Sequence, residues 1–238
     1  MMIEPKEAFP YLPPDSELIK KYDYLFNRTK IIRTPFLKTL FDKIISSFVL
    51  LISSPIFILL KFLYVLEGIL FPENRGPLLF YYYAVSQGKT FKKYKFRIIK
   101  MSYVDKEAAK NHEWLAYSAE WDNNARTFMG NFVKKYYLDE LPQFWSILIG
   151  DMSMVGPRPL SESHYKRDMN QGNVTRFLLK GGMLGLGHNN KGTSEMGNPI
   201  YEYIYAESIL KLSNFRILIL DLKIIFRGLI LVFRGGGY

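Results

Sequence analysis

Asp139 and Glu140, in the run Leu138-Asp139-Glu140-Leu141-Pro142-Gln143-Phe144-Trp145, set two carboxylates side by side at the mouth of a short amphipathic helix. Nineteen positions beyond Asp139, the stiff corner Gly156-Pro157-Arg158-Pro159 presents a guanidinium. Carboxylates beside a fixed cation are the equipment of phosphate chemistry: a nucleophile or metal ligand, plus a clamp for anionic oxygens. One acid could attack phosphorus to form an acyl phosphate while the other holds a hard divalent cation. Mg²⁺ suits that arrangement, because it takes one or two carboxylates and fills its shell with phosphate oxygens and water. The spacing does not say which acid attacks. A plainer reading makes Asp139 a helix N-cap and Glu140 an acid favoured by the helix dipole. On these residues alone both readings stand.

The composition narrows the choice. The 238 residues carry 32 Lys and Arg against 22 Asp and Glu, a net charge of +10, which calls for an anionic partner. No zinc-finger, RNP or helix-turn-helix pattern appears, so nucleic acid is not that partner. Phosphorylated substrates and anionic membrane lipids remain. Cysteine is absent, which removes disulfides and thiolate catalysis. The three histidines, His112, His164 and His188, lack metal-site spacing, so a cation would be held by carboxylate.

Around these residues the chain divides into three parts. Residues 1–33 form a polar, proline-rich arm that either covers the body or hangs loose, and has no signal-peptide layout. Residues 34–75 hold the most apolar stretch, with no charge between Ile44 and Leu60. Seventeen helical residues reach about 25 Å, short of a roughly 30 Å hydrocarbon core. Pro55 lies inside the run, and the Ser53 and Ser54 hydroxyls can satisfy the carbonyl it orphans. Five basic residues (Arg28, Lys30, Arg33, Lys38, Lys43) precede the run within twenty positions, whereas Lys61 and Arg75 alone follow it. The positive-inside rule keeps the N-terminal flank cytoplasmic. A re-entrant helix hairpin broken at Ser54-Pro55 leaves both flanks there, and is preferred to an ordinary spanning helix.

Residues 76–238 read as a catalytic domain. Alternation over residues 77–99 predicts two strands joined at Ser86-Gln87-Gly88. Residues 105–123 predict a surface helix or loop with an apolar face of Trp114, Tyr117 and Trp121. A short helix is expected from Leu141 to Ile149, with Leu141, Phe144, Trp145 and Leu148 facing the core. Glycines from Gly181 to Gly192 mark a loop, and helix returns near Tyr201. At the C-terminal end, Arg216, Lys223, Arg227 and Arg234 fall near one meridian of an otherwise Phe/Ile/Leu-rich helix. That is the pattern of a helix lying in the headgroup plane; the alternative is a core helix with one wet edge. Asp221 lies off the stripe and needs a partner in either case.

These segments resemble the bacterial sugar transferases, the monotopic phosphoglycosyl transferases, whose signature runs roughly LDELPQ-W-x-GDMS-x-VGPRP. Leu138–Gln143, Trp145 and Gly150–Pro159 match it without gaps. Further matches are Phe41-Asp42, Ser54-Pro55, Tyr94-Lys95-Phe96-Arg97 and Leu220–Ile224, so the likeness covers most of the chain, in the family's minimal form. The resemblance implies that Asp139 is the nucleophile, that Glu140 serves the Mg²⁺ site, and that Lys95 and Arg158 bind substrate phosphate. Lys134 stands where the family carries Arg, keeping the charge but losing the two-pronged fork. Tyr82, Ala84 and Ser86 replace a Q-x-R-x-G element, and Gly181–His188 departs from a PG-x-TG-x-x-Q loop, which implies an unusual donor.

The expectation is an α/β, mostly helical, membrane-monotopic enzyme with a re-entrant helix hairpin, a small sheet and interfacial amphipathic helices. By the resemblance it moves a sugar-1-phosphate from a UDP-sugar to polyprenyl phosphate, through a covalent aspartyl intermediate, at the cytoplasmic face of the inner membrane. An oligomer is left open by the sequence. The rival is a catalytically retired relative that scaffolds glycan assembly at the membrane, a role that needs none of Lys95, Asp139, Glu140 or Arg158.

Overall fold

A computed structural model describes residues 8–187 and 193–233. The chain opens with two short helices, α1 (Ser16–Lys21), capped by Asp15, and α2 (Asp23–Phe26). Phe9, Leu18, Tyr22, Leu25 and Ile32 are buried, and Tyr22 and Phe26 pack on the Tyr203 ring. From residue 8 onward the arm therefore covers the body and is not loose.

In α3 (Phe36–Leu70) the usual rule of burial is turned round. Lys38, Asp42, Ser46, Ser53 and Glu67 are buried, together with Leu60 and Tyr64, whereas Phe48, Leu51, Ile52, Ile58, Phe62 and Ile69 are exposed. The buried positions advance by three, four or seven, so they share one face. Only 17% of the most apolar eighteen-residue window is buried, unlike a core helix. This long apolar helix is compatible with membrane association.

The expected pair of helices broken at Ser54-Pro55 is one continuous helix. Proline removes the donor that would reach the carbonyl four residues back, that of Leu51. Ser54 Oγ donates to that same carbonyl at 2.7 Å, and Ser53 Oγ to the Leu50 carbonyl at 3.4 Å. The interruption shrinks to a single backbone bond, replaced by a hydroxyl.

Strands β1 (Leu79–Ser86) and β2 (Lys89–Phe96) form the expected hairpin. Its two-residue turn has Gln87 and Gly88 both at positive φ (51° and 72°), the geometry that suits strand twist. After α4 (Lys106–Lys110) a 3-10 stretch, Trp114–Trp121, leads to α5 (Phe128–Lys135), which Thr127 caps. Next come α6 (Gln143–Ile149), β3 (Ser153–Val155), β4 (Leu160–Ser161), α7 (Glu162–Asn170) and α8 (Thr175–Leu178). The chain continues through β5 (Gly182–Leu184), α9 (Ile200–Lys211) and α10 (Asn214–Phe233). One sheet runs β2-β1-β4, with β4 antiparallel to β1; β3 and β5 form a second, parallel pair. In α6, Phe144 and Ile147 are buried and Trp145 is 51% exposed, so Trp145 does not face the core as expected.

The described residues gather into two compact units. The first comprises residues up to Ile44, Ala84–Phe91 and Ile147–Ile230. Here Lys38 Nζ lies 2.7 Å from Asp221 Oδ2, and Tyr205 donates to Asp221 Oδ1 at 2.7 Å, supplying the partners that Asp221 requires. Asp42 accepts from the Ser153 hydroxyl and from the Met154 amide. On α10, Ile217, Asp221, Ile224 and Gly228 face the protein. Phe215, Ile219, Leu222, Phe226 and Leu229 lie exposed on nearly the opposite side. Arg216, Lys223 and Arg227 are exposed along a strip between the two faces. Arg234 lies outside the described residues, as do His188 and Gly192.

The second unit comprises Ile45–Tyr83 and Lys92–Ser146. Leu60, Tyr64, Phe96, Ile98, Ile99, Val104, Ala119, Ala125 and Val133 form its core. The polar face of α3 completes it: the Tyr64 hydroxyl donates to the Arg97 carbonyl, and Glu67 accepts from Asn74 Nδ2 (3.0 Å) and the Phe128 amide (2.7 Å).

Candidate active site

The two adjacent acids sit on a single 3-10 turn, Leu138–Glu140, just ahead of α6. Tyr137 starts this turn in the left-handed region (φ 55°, ψ 19°), an uncommon and costly conformation for a residue with a side chain. The turn is held by bonds from the Glu140 amide to the Tyr137 carbonyl and from the Leu141 amide to the Leu138 carbonyl, both 3.1 Å. Asp139 is not a side-chain cap. Its carboxylate is directed inward, and the residue is 1% exposed.

Lys95 reaches it from β2, on the strand face that buries Phe91, Lys93 and Lys95. Its Nζ stands 3.0 Å from Asp139 Oδ2, 3.9 Å from Glu140 Oε1 and 3.3 Å from Glu120 Oε2. Lys134 comes from the last turn of α5, placing its Nζ 3.2 Å from the same Glu120 oxygen and 5.0 Å from the centre of the Trp121 ring. Gly130 lets α5 approach this closely, since a Cβ there would collide with the Ile98 carbonyl. Four of the residues read from the sequence, Lys95, Lys134, Asp139 and Glu140, thus meet in one buried cluster of the second unit.

The charges tune one another. Burial by itself lowers the Lys95 pKa, but Glu120, Asp139 and Glu140 outweigh it and hold the ammonium well above its ordinary range. Burial likewise raises the Glu120 carboxyl, yet Lys134 and Lys95 bring it down to about 2. Lys95 and Glu120 are therefore ionised at neutral pH.

Glu120 was not read from the sequence as a site residue. Residues 105–123 pointed to a surface segment with Trp114, Tyr117 and Trp121 inward; in the 3-10 stretch, Ala116, Ser118, Ala119 and Glu120 are the buried ones. The lysines it meets are 25 and 14 positions away, so no local spacing marks it. Buried Lys93, over the Tyr82 ring, was likewise unmarked.

Arg158 belongs to the first unit. Its corner is fixed by bonds from the Gly156 amide to the Leu184 carbonyl and from the Gly182 amide to the Pro157 carbonyl, both 2.8 Å. Arg176 Nε donates to the Arg158 carbonyl at 3.2 Å, and Arg176 is itself clamped by Asp168 and Glu202, each at 2.6 Å. The Arg158 side chain is half-buried.

The donor set fits Mg²⁺. No group of three or more metal-ligating side chains occurs among the described residues, so no closed protein cage is present there. Two neighbouring carboxylates are present instead, and Asp139 Oδ2, though ion-paired with Lys95, accepts no hydrogen bond. Such a partial shell suits an ion that takes its remaining ligands from phosphate and water.

The chain belongs to the bacterial sugar transferase family, whose model matches residues 33–235. It is 36% identical to an undecaprenyl-phosphate galactose phosphotransferase of Salmonella typhimurium over 63% of this chain and 32% of that protein. It is 33% identical to a UDP-glucose:undecaprenyl-phosphate glucose-1-phosphate transferase of Klebsiella pneumoniae over 83% of this chain and 40% of that protein. The exopolysaccharide production protein ExoY of Sinorhizobium fredii is 31% identical over 52% of this chain and 56% of its own length. The chain thus spans about a third to two fifths of the first two relatives.

Proposed function

We propose that the chain transfers a sugar-1-phosphate from a UDP-sugar to polyprenyl phosphate, starting assembly of a glycan at the cytoplasmic face of the inner membrane. The buried cluster in which Lys95 meets the Asp139-Glu140 pair, with Lys134 joined to it through Glu120, carries this reading. Relatives named as acting on undecaprenyl phosphate support the acceptor class.

In the proposed reaction a carboxylate oxygen of Asp139 attacks the sugar-bearing phosphorus. An O–P bond forms as the bond to UMP breaks, and UMP leaves with the electron pair. An oxygen of polyprenyl phosphate then attacks the same phosphorus, giving the polyprenyl diphosphate sugar and restoring the Asp139 carboxylate. Lys95 and Lys134 neutralise phosphate oxygens in a buried setting where each charge counts for more than in water. Arg158 binds phosphate through its planar fork. Glu140 would hold Mg²⁺, which would supply further charge neutralisation when bound.

Attachment is through the apolar side of α3, both ends of which stay at the cytoplasmic face, and through α10 on anionic lipids. Partners of α3 support the first point. Lys38 and Asp42 near its start, and Tyr64 and Glu67 near its end, all bind residues that follow the helix in the chain. One test decides the activity: UMP released over many turnovers from a panel of UDP-sugars by the membrane-reconstituted chain, with repeated turnover dependent on polyprenyl phosphate and all release absent in Asp139→Asn. If no UDP-sugar releases UMP while the chain still binds membranes, the scaffold role replaces this reading.

A further inference from the structure

Glu120 has no part in the proposed reaction, yet its carboxylate sits at the centre of the cluster. A single oxygen, Oε2, lies 3.3 Å from Lys95 Nζ and 3.2 Å from Lys134 Nζ. All three side chains are at most 10% exposed. One anionic oxygen shared by two buried ammonium groups is the arrangement a phosphoryl oxygen would make with the same lysines. The Glu120 carboxylate already occupies the space between the two ammonium groups, so a second anion is not drawn to them while Glu120 stays in place.

We propose that Glu120 is a built-in stand-in for a phosphoryl oxygen, occupying the Lys95–Lys134 cradle until the diphosphate of the donor displaces it. The inference rests on the assignment of these lysines to substrate phosphate. Two physical needs are met at once. Buried lysines left without a counter-charge are costly, and Glu120 covers them when no substrate is bound. Lys95 is also shared between Glu120 and Asp139, so the attacking carboxylate is not its sole partner. The backbone can tolerate release of the side chain, because the Glu120 carbonyl is held separately by Arg126 Nε at 2.8 Å.

The test is calorimetric titration of inorganic pyrophosphate, without Mg²⁺, into the full-length chain in detergent micelles. Glu120→Gln is expected to bind at least tenfold more tightly than the native chain, and Glu120→Asp, too short to bridge both lysines, more tightly by a smaller factor. Adding Lys134→Met to Glu120→Gln should erase the gain. Unchanged or weaker binding by folded Glu120→Gln overturns the proposal, as does a gain that survives loss of Lys134. Should neither Glu120 variant fold, Glu120 is a structural strut and the proposal is equally overturned. The transferase reading fails on a different measurement, the absence of UMP release by the native chain.

Discussion

Asp139 combines near-complete burial with an ion-paired oxygen that accepts no hydrogen bond, a combination suited to attack on phosphorus. UDP-sugar without acceptor should leave a sugar-phosphate mass on Asp139, read by intact-protein mass spectrometry. Asp139→Asn should remove the adduct and lower turnover by at least about a thousandfold. Turnover without any adduct would favour direct attack by the lipid phosphate. Glu120 gives a second outcome, in stability. Its carboxyl titrates at about 2 when folded against an ordinary 4.5, so its stabilisation is complete above pH 4.5 and drains away as pH falls toward 2. Denaturant unfolding of Glu120→Gln should show a loss of about 3 kcal/mol at pH 7, closing as the pH approaches 2. Asp139, Glu140 and Lys95 were legible because a long motif marks them. Glu120 was not, because its meaning lies wholly in lysines brought by a strand and a helix that are distant in sequence.

Local chemistry settles more at the scale of elements than periodicity does. The β1–β2 turn was readable from Gln87-Gly88, since few residue pairs accept two positive φ angles. The continuity of α3 was harder to read: proline signals a break, and only the Ser54 hydroxyl on the Leu51 carbonyl shows how the helix passes through. Ser54→Ala should leave that carbonyl unpaired in lipid and destabilise by roughly 1–3 kcal/mol, measured by unfolding in bicelles. Topology can be read with single cysteines introduced into the cysteine-free chain at the exposed positions Lys30 and Lys89. Both should be protected from an impermeant reagent in intact spheroplasts; labelling of one alone would make α3 a spanning helix. Gly130→Ala should fail differently, forcing α5 off Ile98 and moving Lys134, with a loss of stability of roughly 2 kcal/mol or more and weaker phosphate binding.

At the scale of the whole molecule, two helix faces among the described residues expose many large apolar side chains, the outer side of α3 and the outer face of α10. Arg216, Lys223 and Arg227 border the second. Neutralising all three should weaken binding of α10 to acidic vesicles roughly a hundredfold at low salt, at about 1 kcal/mol for each charge. With α3 still in place, the effect on the full chain should appear as lower turnover on acidic vesicles and little change on neutral ones.

The reversed burial of α3 also bears on how a water-soluble form could be made. Deleting the helix as though it were a detachable anchor would strip Lys38 from Asp221, Asp42 from Ser153, Tyr64 from Arg97 and Glu67 from the start of α5. Four polar groups of the body would each lose a partner at once, and truncated chains should aggregate on expression. The workable route is repainting: polar residues at Phe48, Leu51, Ile52, Ile58 and Phe62, with the inner stripe untouched. In this protein the greasy side of the helix is the replaceable one, and its charged side is the interior.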